Sequence, residues 1–186
     1  MSSTIENLKE AIKGENNAKL KYELFAKKAK EEDLPEIAHL FEAISYAESI
    51  HIKNHLRVLS KLTNSEVDLF NIVPSDEKSI SISNTKDNLI QAIEGETYEF
   101  KKMYKAFMKT AKKRNRYLAE FSFDLARKAE LIHSKLFKKY LKKLVNNESF
   151  DKVDIYVCSI CGNVELERAP KTCPNCQHDQ KFFIKL

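Results

Sequence analysis

Two short stretches nearly repeat one another: AESIH at residues 47–51 and AELIH at residues 129–133. Each sets a glutamate three residues ahead of a histidine, inside a run whose apolar residues otherwise recur at helical spacing. Upstream, EAIKGE (10–15) is echoed by QAIEGE (91–96). Glu15 and Glu96 lie 81 residues apart, and Glu48 and Glu130 lie 82 apart. Within each half the intervals are 33 residues, from Glu15 to Glu48, and 34, from Glu96 to Glu130. This is the pattern of a duplicated two-helix hairpin, which sets four helices around a pseudo-twofold axis.

Working outward, four long segments carry the alternating three- and four-residue step of helices packed side by side. The first runs Ile5, Leu8, Ile12, Ala18, Tyr22, Phe25, Ala29. The second opens at Pro35, suited to a first helical turn, and continues Ile37, Phe41, Ile44, Val58, Leu62. A polar stretch, 63–86, with Asn64, Pro74, Asp76 and five serines, separates the halves. The third segment reads Leu89, Ala92, Ile93, Phe100, Met103, Phe107, and the fourth Ala119, Phe123, Ala126, Phe137, Tyr140, Leu144. Ionisable residues interrupt all four stripes: Glu15; Glu48 and His51; Glu96 and Glu99; Glu130 and His133.

An uncompensated buried carboxylate costs several kcal/mol or takes up a proton. One such residue on an apolar stripe is usually satisfied by a salt bridge. Five glutamates and two histidines at matching depth, with Lys and Arg falling elsewhere, call for a pair of divalent cations instead. Residues i and i+3 share a helix face, so each Glu-x-x-His offers an oxygen and a nitrogen to one point. A Glu from each of two helices plus Glu-x-x-His from the other two is the ligand set of di-metal carboxylate bundles. Such ligation suits Fe, Mn or Zn.

The tail, residues 156–176, reads YVCSICGNVELERAPKTCPNC. Two Cys-x-x-Cys pairs, Cys158/Cys161 and Cys173/Cys176, stand eleven residues apart, the spacing of a tetrahedral thiolate site. Zinc and iron remain open on spacing alone, and a pair of disulfides is the less common alternative. Tyr156, Phe182 and Phe183 are expected to cover the metal.

With both sites in place, the chain closely resembles the rubrerythrins over nearly its whole length. The resemblance implies an all-α, ferritin-like four-helix bundle (1–147) followed by a small β-rich rubredoxin-like domain (148–186). It implies iron ligation by Glu15, Glu48, Glu96, Glu99, Glu130, His51 and His133, with Glu48 and Glu130 as bridges. Glu99 matches the additional glutamate that sets this family apart from ferritins. There, one iron is held by that glutamate when oxidised and shifts to the histidine matching His51 when reduced. Tyr22 and Tyr104 match tyrosines that hydrogen-bond the ligand carboxylates, and Cys158, Cys161, Cys173 and Cys176 would hold one rubredoxin-type iron. The implied activity is reduction of hydrogen peroxide to water in oxidative stress defence. Electrons would come from rubredoxin or a nicotinamide-dependent rubredoxin reductase. A homodimer or larger homo-oligomer follows, because in the family one subunit's tail sits by another's bundle. One departure is local: Gly162 follows the first cysteine pair, but Gln177 follows the second, where a non-glycine would strain a left-handed turn.

Composition bounds the rest. With 186 residues, three Gly, four Pro and a net charge of +5, the chain reads as one helical domain plus a small appendage. It has no apolar run of the roughly 18 residues that cross a membrane, and MSSTIENLKE lacks a secretory signal, so a cytoplasmic protein is expected. Residues 101–117 carry eight Lys and Arg and no acid. That run reads as a solvated helix face, with no nucleic acid as partner; docking of an acidic redox partner is a lesser reading. Two other functions fit the residues less well: a ferritin-like ferroxidase or oxidase, which would not need the cysteine tail, and a zinc-filled structural or binding protein. His55 is expected behind the ligands or in the core, His39 at the surface or in helix packing, and His178 exposed.

Overall fold

A computed structural model describes residues 3–73 and 80–186; Pro74 and Asp76 of the expected linker lie outside the described residues. Helix α1 (Thr4–Glu31) begins on a capping box, with Ser3 Oγ accepting from the Glu6 amide and the Glu6 carboxylate accepting from the Ser3 amide. Helix α2 (Pro35–Thr63) starts with Pro35 in its first turn and stops at left-handed Asn64. Together they form the first hairpin. The second begins at α3 (Thr85–Tyr98), capped by Asn84, whose side chain accepts from the Asp87 amide. The expected single third helix is divided: α3 passes through a π-helical segment (Glu99–Met103) into α4 (Tyr104–Lys113). Helix α5 (Tyr117–Val145) completes the bundle.

Two apolar clusters fill the bundle, one containing Phe25, Phe41, Ile44, Leu89 and Phe137, the other Leu8, Ile12, Leu59, Phe107 and Phe123. Along every helix the ionisable residues fall between members of the two clusters. The charged layer therefore lies mid-bundle, shut off from water at both ends by packed side chains.

After α5 the chain forms a three-stranded antiparallel sheet ordered β2–β1–β3, from β1 (Ile155–Cys158), β2 (Val164–Leu166) and β3 (Phe183–Lys185). Val157 pairs with Val164 on one side and Ile184 on the other. Ile155, Val157 and Val164 join the apolar cluster of the chain's own bundle. The closeness of tail and bundle that the resemblance puts between subunits is thus met here within one chain. Among the described residues, no helix is long and apolar enough to cross a membrane.

Phe41 is fully buried among Tyr22, Phe25 and Phe137, with ring centroids 5.2–5.9 Å away. Phe41→Ala is expected to cost about 3–5 kcal/mol in urea unfolding; a loss under about 1 kcal/mol would contradict this packing.

Candidate metal centres

Glu15 from α1, Glu48 and His51 from α2, Glu96 from α3, and Glu130 and His133 from α5 meet in the middle of the bundle, each 1% exposed or less. Their donor atoms form two overlapping groups, Glu15/Glu48/His51/Glu130 and Glu48/Glu96/Glu130/His133, each with all its donors within 4.8 Å of one another. His51 Nδ1 lies 2.8 Å from Glu48 Oε2, 3.0 Å from Glu130 Oε1 and 3.7 Å from Glu15 Oε2. His133 Nδ1 lies 2.8 Å from Glu130 Oε2, 3.4 Å from Glu48 Oε1 and 3.6 Å from Glu96 Oε2. Glu48 and Glu130 thus direct one oxygen to each group, the placement a bridging carboxylate needs. Glu15 and Glu96 each serve one group.

The tyrosines cross between halves. Tyr22 Oη donates to Glu96 Oε1 at 2.5 Å, and Tyr104 Oη donates to Glu15 Oε1. Tyr22 follows Glu15 by seven residues, whereas Tyr104 follows Glu96 by eight. The additional residue is absorbed by the π-helical segment, which begins at Glu99 and lets Tyr104 keep its symmetric place. This segment was not anticipated from the sequence, although the difference between the 81- and 82-residue offsets marks where it falls. Glu99 is partly buried, and a Cβ added at Gly14 would stand 3.8 Å from its Oε1, so its carboxyl lies against α1 beside Glu15.

Buried oxygens Glu15 Oε2, Glu48 Oε1, Glu96 Oε2 and both of Glu130, with His133 Nδ1, have no hydrogen-bond partner. Buried polar atoms are rarely left so, and cations between the two groups would satisfy them together. Without cations the cluster compensates with protons. Burial, reinforced by the Glu48 charge, pushes Glu15 up to about 7 and Glu96 up to about 8. Burial and the charges of Glu15 and Glu130 raise Glu99 well above the usual carboxylate range. Burial works against the charged form of His51 and His133, but neighbouring carboxylates prevail and raise both. Burial and Glu130 also press Glu48 upward; the His133 and His51 imidazoles beside it, 3.4 and 2.8 Å away, outweigh them and hold it below the usual range.

The four cysteines converge as well. Cys158 and Cys176 Sγ are 3.6 Å apart, as are those of Cys161 and Cys173. A disulfide requires about 2.05 Å, whereas thiolates about 2.3 Å from a tetrahedral metal stand about 3.8 Å apart. The separation fits the metal and excludes the pair of disulfides. The cover differs from expectation: Phe183 packs on the cysteines, but Tyr156 and Phe182 do not, and Leu125 and Ile160 take their places. Gly162 and Gln177 occupy corresponding turns at φ +74° and +63°, each amide bonding back to the first cysteine of its pair. Gln177 does sit in the left-handed conformation.

The two centres touch. Cys161 O lies 3.1 Å from His51 Nε2, and Gly162 O lies 3.0 Å from His133 Nε2. Each carbonyl accepts from an imidazole N–H, which turns that ring's Nδ1 toward the carboxylates. Asn54 Nδ2 donates to Ile160 O, and Asn175 Nδ2 to Leu125 O, pinning the tail beside these contacts. These backbone acceptors were not anticipated. His55 is fully buried between Tyr104 and Ser122; His39 is partly buried and His178 exposed.

Fold and centres together define a ferritin-like di-iron carboxylate bundle joined to a rubredoxin-like domain. The rubrerythrin family profile matches residues 6–141, and that of the rubrerythrin rubredoxin-like domain matches residues 156–184. Rubrerythrin-2 of Clostridium acetobutylicum is 34% identical over 93% of this chain and 91% of its own length. Nigerythrin of Nitratidesulfovibrio vulgaris is 34% identical over 98% of this chain and 86% of its own length. A solved structure of partially reduced nigerythrin superposes with a TM-score of 0.87 at 31% identity, covering 100% of this chain and 88% of the other. The chain belongs to the rubrerythrin family. Its cofactors are accordingly a non-haem di-iron centre in the bundle and one metal held by the four cysteines, a rubredoxin-type iron.

Two outcomes follow from this geometry. Glu15 and Glu96, raised to about 7 and about 8, stabilise the metal-free fold at low pH and lose that contribution as pH rises through those values. The melting temperature of chelated protein should therefore fall between about pH 5.5 and about pH 8. Metal-loaded protein should gain over the same window, because cations displace the protons; parallel falls in both would contradict the assignment. A Cβ at Gly162 would stand 2.4 Å from His51 Nε2, at a backbone conformation strained for L residues. Gly162→Ala should lower stability in urea unfolding by at least about 1 kcal/mol; Gln177→Ala should leave it unchanged.

Proposed function

We propose that this chain is a non-haem di-iron peroxidase that reduces hydrogen peroxide to water, with electrons relayed through the rubredoxin-type iron, in oxidative stress defence. The observation that carries the reading is the pair of contacts from His51 and His133 Nε2 to the Cys161 and Gly162 carbonyls, which couple the cysteine centre to the carboxylate centre at hydrogen-bond distance. A storage ferroxidase has no use for such a junction.

Glu15, Glu48, His51, Glu96, Glu99, Glu130 and His133 would hold the two irons, Glu48 and Glu130 each offering one oxygen to either donor group; Cys158, Cys161, Cys173 and Cys176 would hold the third. The di-iron centre, when bound, supplies two electrons and Lewis acidity to the peroxide O–O bond. The chain supplies the setting. Tyr22 and Tyr104 each direct a hydroxyl proton at a ligand carboxylate, on Glu96 and Glu15 respectively, which holds those carboxylates in place as their charge load changes. Glu99, kept protonated by burial and by the Glu15 and Glu130 charges until a cation displaces the proton, is the ligand carboxyl at the edge of the cluster. The apolar clusters on either side exclude bulk water, so charge imbalance is met by ligands and bound protons. Reduction of one peroxide consumes two electrons and two protons and yields two waters.

Rubredoxin, or a nicotinamide-dependent rubredoxin reductase, is the proposed donor to the cysteine centre. A cytoplasmic homodimer or larger homo-oligomer is the proposed setting. The family membership of the chain supports both. The solved all-ferrous nigerythrin structure, with a TM-score of 0.85 and 30% identity over 100% of this chain and 88% of that one, supports iron in the bundle.

The test uses iron-loaded protein, fully reduced without air and mixed with hydrogen peroxide or, separately, with oxygen, while the visible absorption of the ferric four-cysteine centre is followed. Colour should appear much faster with peroxide. Faster oxidation by oxygen would turn the reading to an oxidase or ferroxidase. No colour with either oxidant would refute the relay.

A further inference from the structure

The two halves of the bundle line their tyrosines alike, with one exception. An offset of 82 residues pairs Tyr22 with Tyr104, Phe25 with Phe107 and Phe41 with Phe123. Around Tyr22 stand the rings of Phe25, Phe41 and Phe137, at 6.4, 5.9 and 5.3 Å. Around Tyr104 stand Phe107, Phe123 and His55, at 6.3, 5.9 and 5.8 Å. His55 thus occupies the place of Phe137, and its partner Ser122 that of Leu40, by the same offset. A Phe–Leu pair fills the space in one half with nothing to satisfy. The other half buries an imidazole and a hydroxyl instead, which costs free energy unless both are bonded.

They are bonded, and in one direction. Tyr104 Oη donates to Glu15 Oε1, so its oxygen accepts from His55 Nε2, 3.1 Å away. The ring therefore carries its proton on Nε2, and Nδ1 accepts from Ser122 Oγ at 2.8 Å. Burial, with the His51 charge adding to it, holds His55 down to about 3, so the imidazole is neutral with one donor and one acceptor. Among the described residues, Tyr22 Oη has Glu96 as its hydrogen-bond partner and otherwise aromatic rings around it.

A hydroxyl that accepts one hydrogen bond donates another more strongly. We propose that His55, oriented by Ser122, is a positioning residue that strengthens the Tyr104 bond to Glu15, so that the metal position on the Glu15 side is held more weakly than the symmetric half alone would hold it. The stronger bond draws charge from the Glu15 carboxylate and reduces what it gives a cation. This inference rests on the two-metal reading of the bundle but not on peroxide as substrate.

The test is anaerobic titration of full-length apoprotein with ferrous ion, followed by near-infrared circular dichroism, where carboxylate- and thiolate-bound ferrous ions absorb differently. The His55→Phe/Ser122→Leu double variant copies the lining of the other half. It should tighten the weaker of the two bundle steps by about threefold, the size of a cooperative change in one charge-assisted bond, and narrow the gap between steps. His55→Gln, which keeps an N–H toward Tyr104, should restore the wild-type gap. On a Tyr104→Phe background the double variant should have no further effect. Should the double variant fail to fold, Ser122→Ala reads the same quantity in the same direction. An unchanged gap, a weaker step, or His55→Gln behaving like the double variant would overturn the inference. Two ferrous ions binding normally without peroxide-driven turnover would refute the proposed function alone, and no ferrous binding to the wild-type bundle would refute the metal reading beneath both.

Discussion

Four carboxylates and two imidazoles, each 1% exposed or less, share the middle of one helical bundle, and the rest of the structure answers to the cost of putting them there. Charged groups in such an interior need counter-charge close by. The bundle provides a gap between two sets of donor atoms that cations can fill, and apolar clusters on both sides that keep water from filling it instead. The duplicated hairpin is a direct way to build this. Each hairpin brings one further carboxylate and one Glu-x-x-His pair, and symmetry makes Glu48 and Glu130 the two that reach across the axis toward the other half's histidine.

The tail completes the centre as well as extending it. Its carbonyls at Cys161 and Gly162 accept hydrogen bonds from the Nε2–H groups of the two histidines, so the small β-rich unit sets which ring nitrogen faces the metals. Gly162 is held to glycine twice over, by its positive φ and by the approach of His51. Gln177, in the matching turn, has only the backbone demand and is exposed. That contrast explains how one knuckle tolerates a side chain the other cannot.

Departures from the duplication mark where the two halves take different work. The π-helical segment places Glu99 beside Glu15 with no counterpart opposite, and the His55–Ser122 pair backs one tyrosine while phenylalanine and leucine back the other. A symmetric scaffold thereby holds two metal positions whose surroundings are unlike.

The sequence by itself determined the four helices, the candidate donors at the two centres and the helical faces on which the bundle's donors lie. A charged residue on an apolar stripe is conspicuous, and helical and Cys-x-x-Cys spacings are local properties. Only the tertiary structure decided the π-helical turn, the Ser122 partner of His55 67 residues away, the carbonyls that orient the histidines, and the Leu125 and Ile160 cover on the cysteines. Backbone acceptors carry no residue identity, a one-residue bulge leaves the apolar period almost intact, and contacts between distant segments exist only once the elements pack.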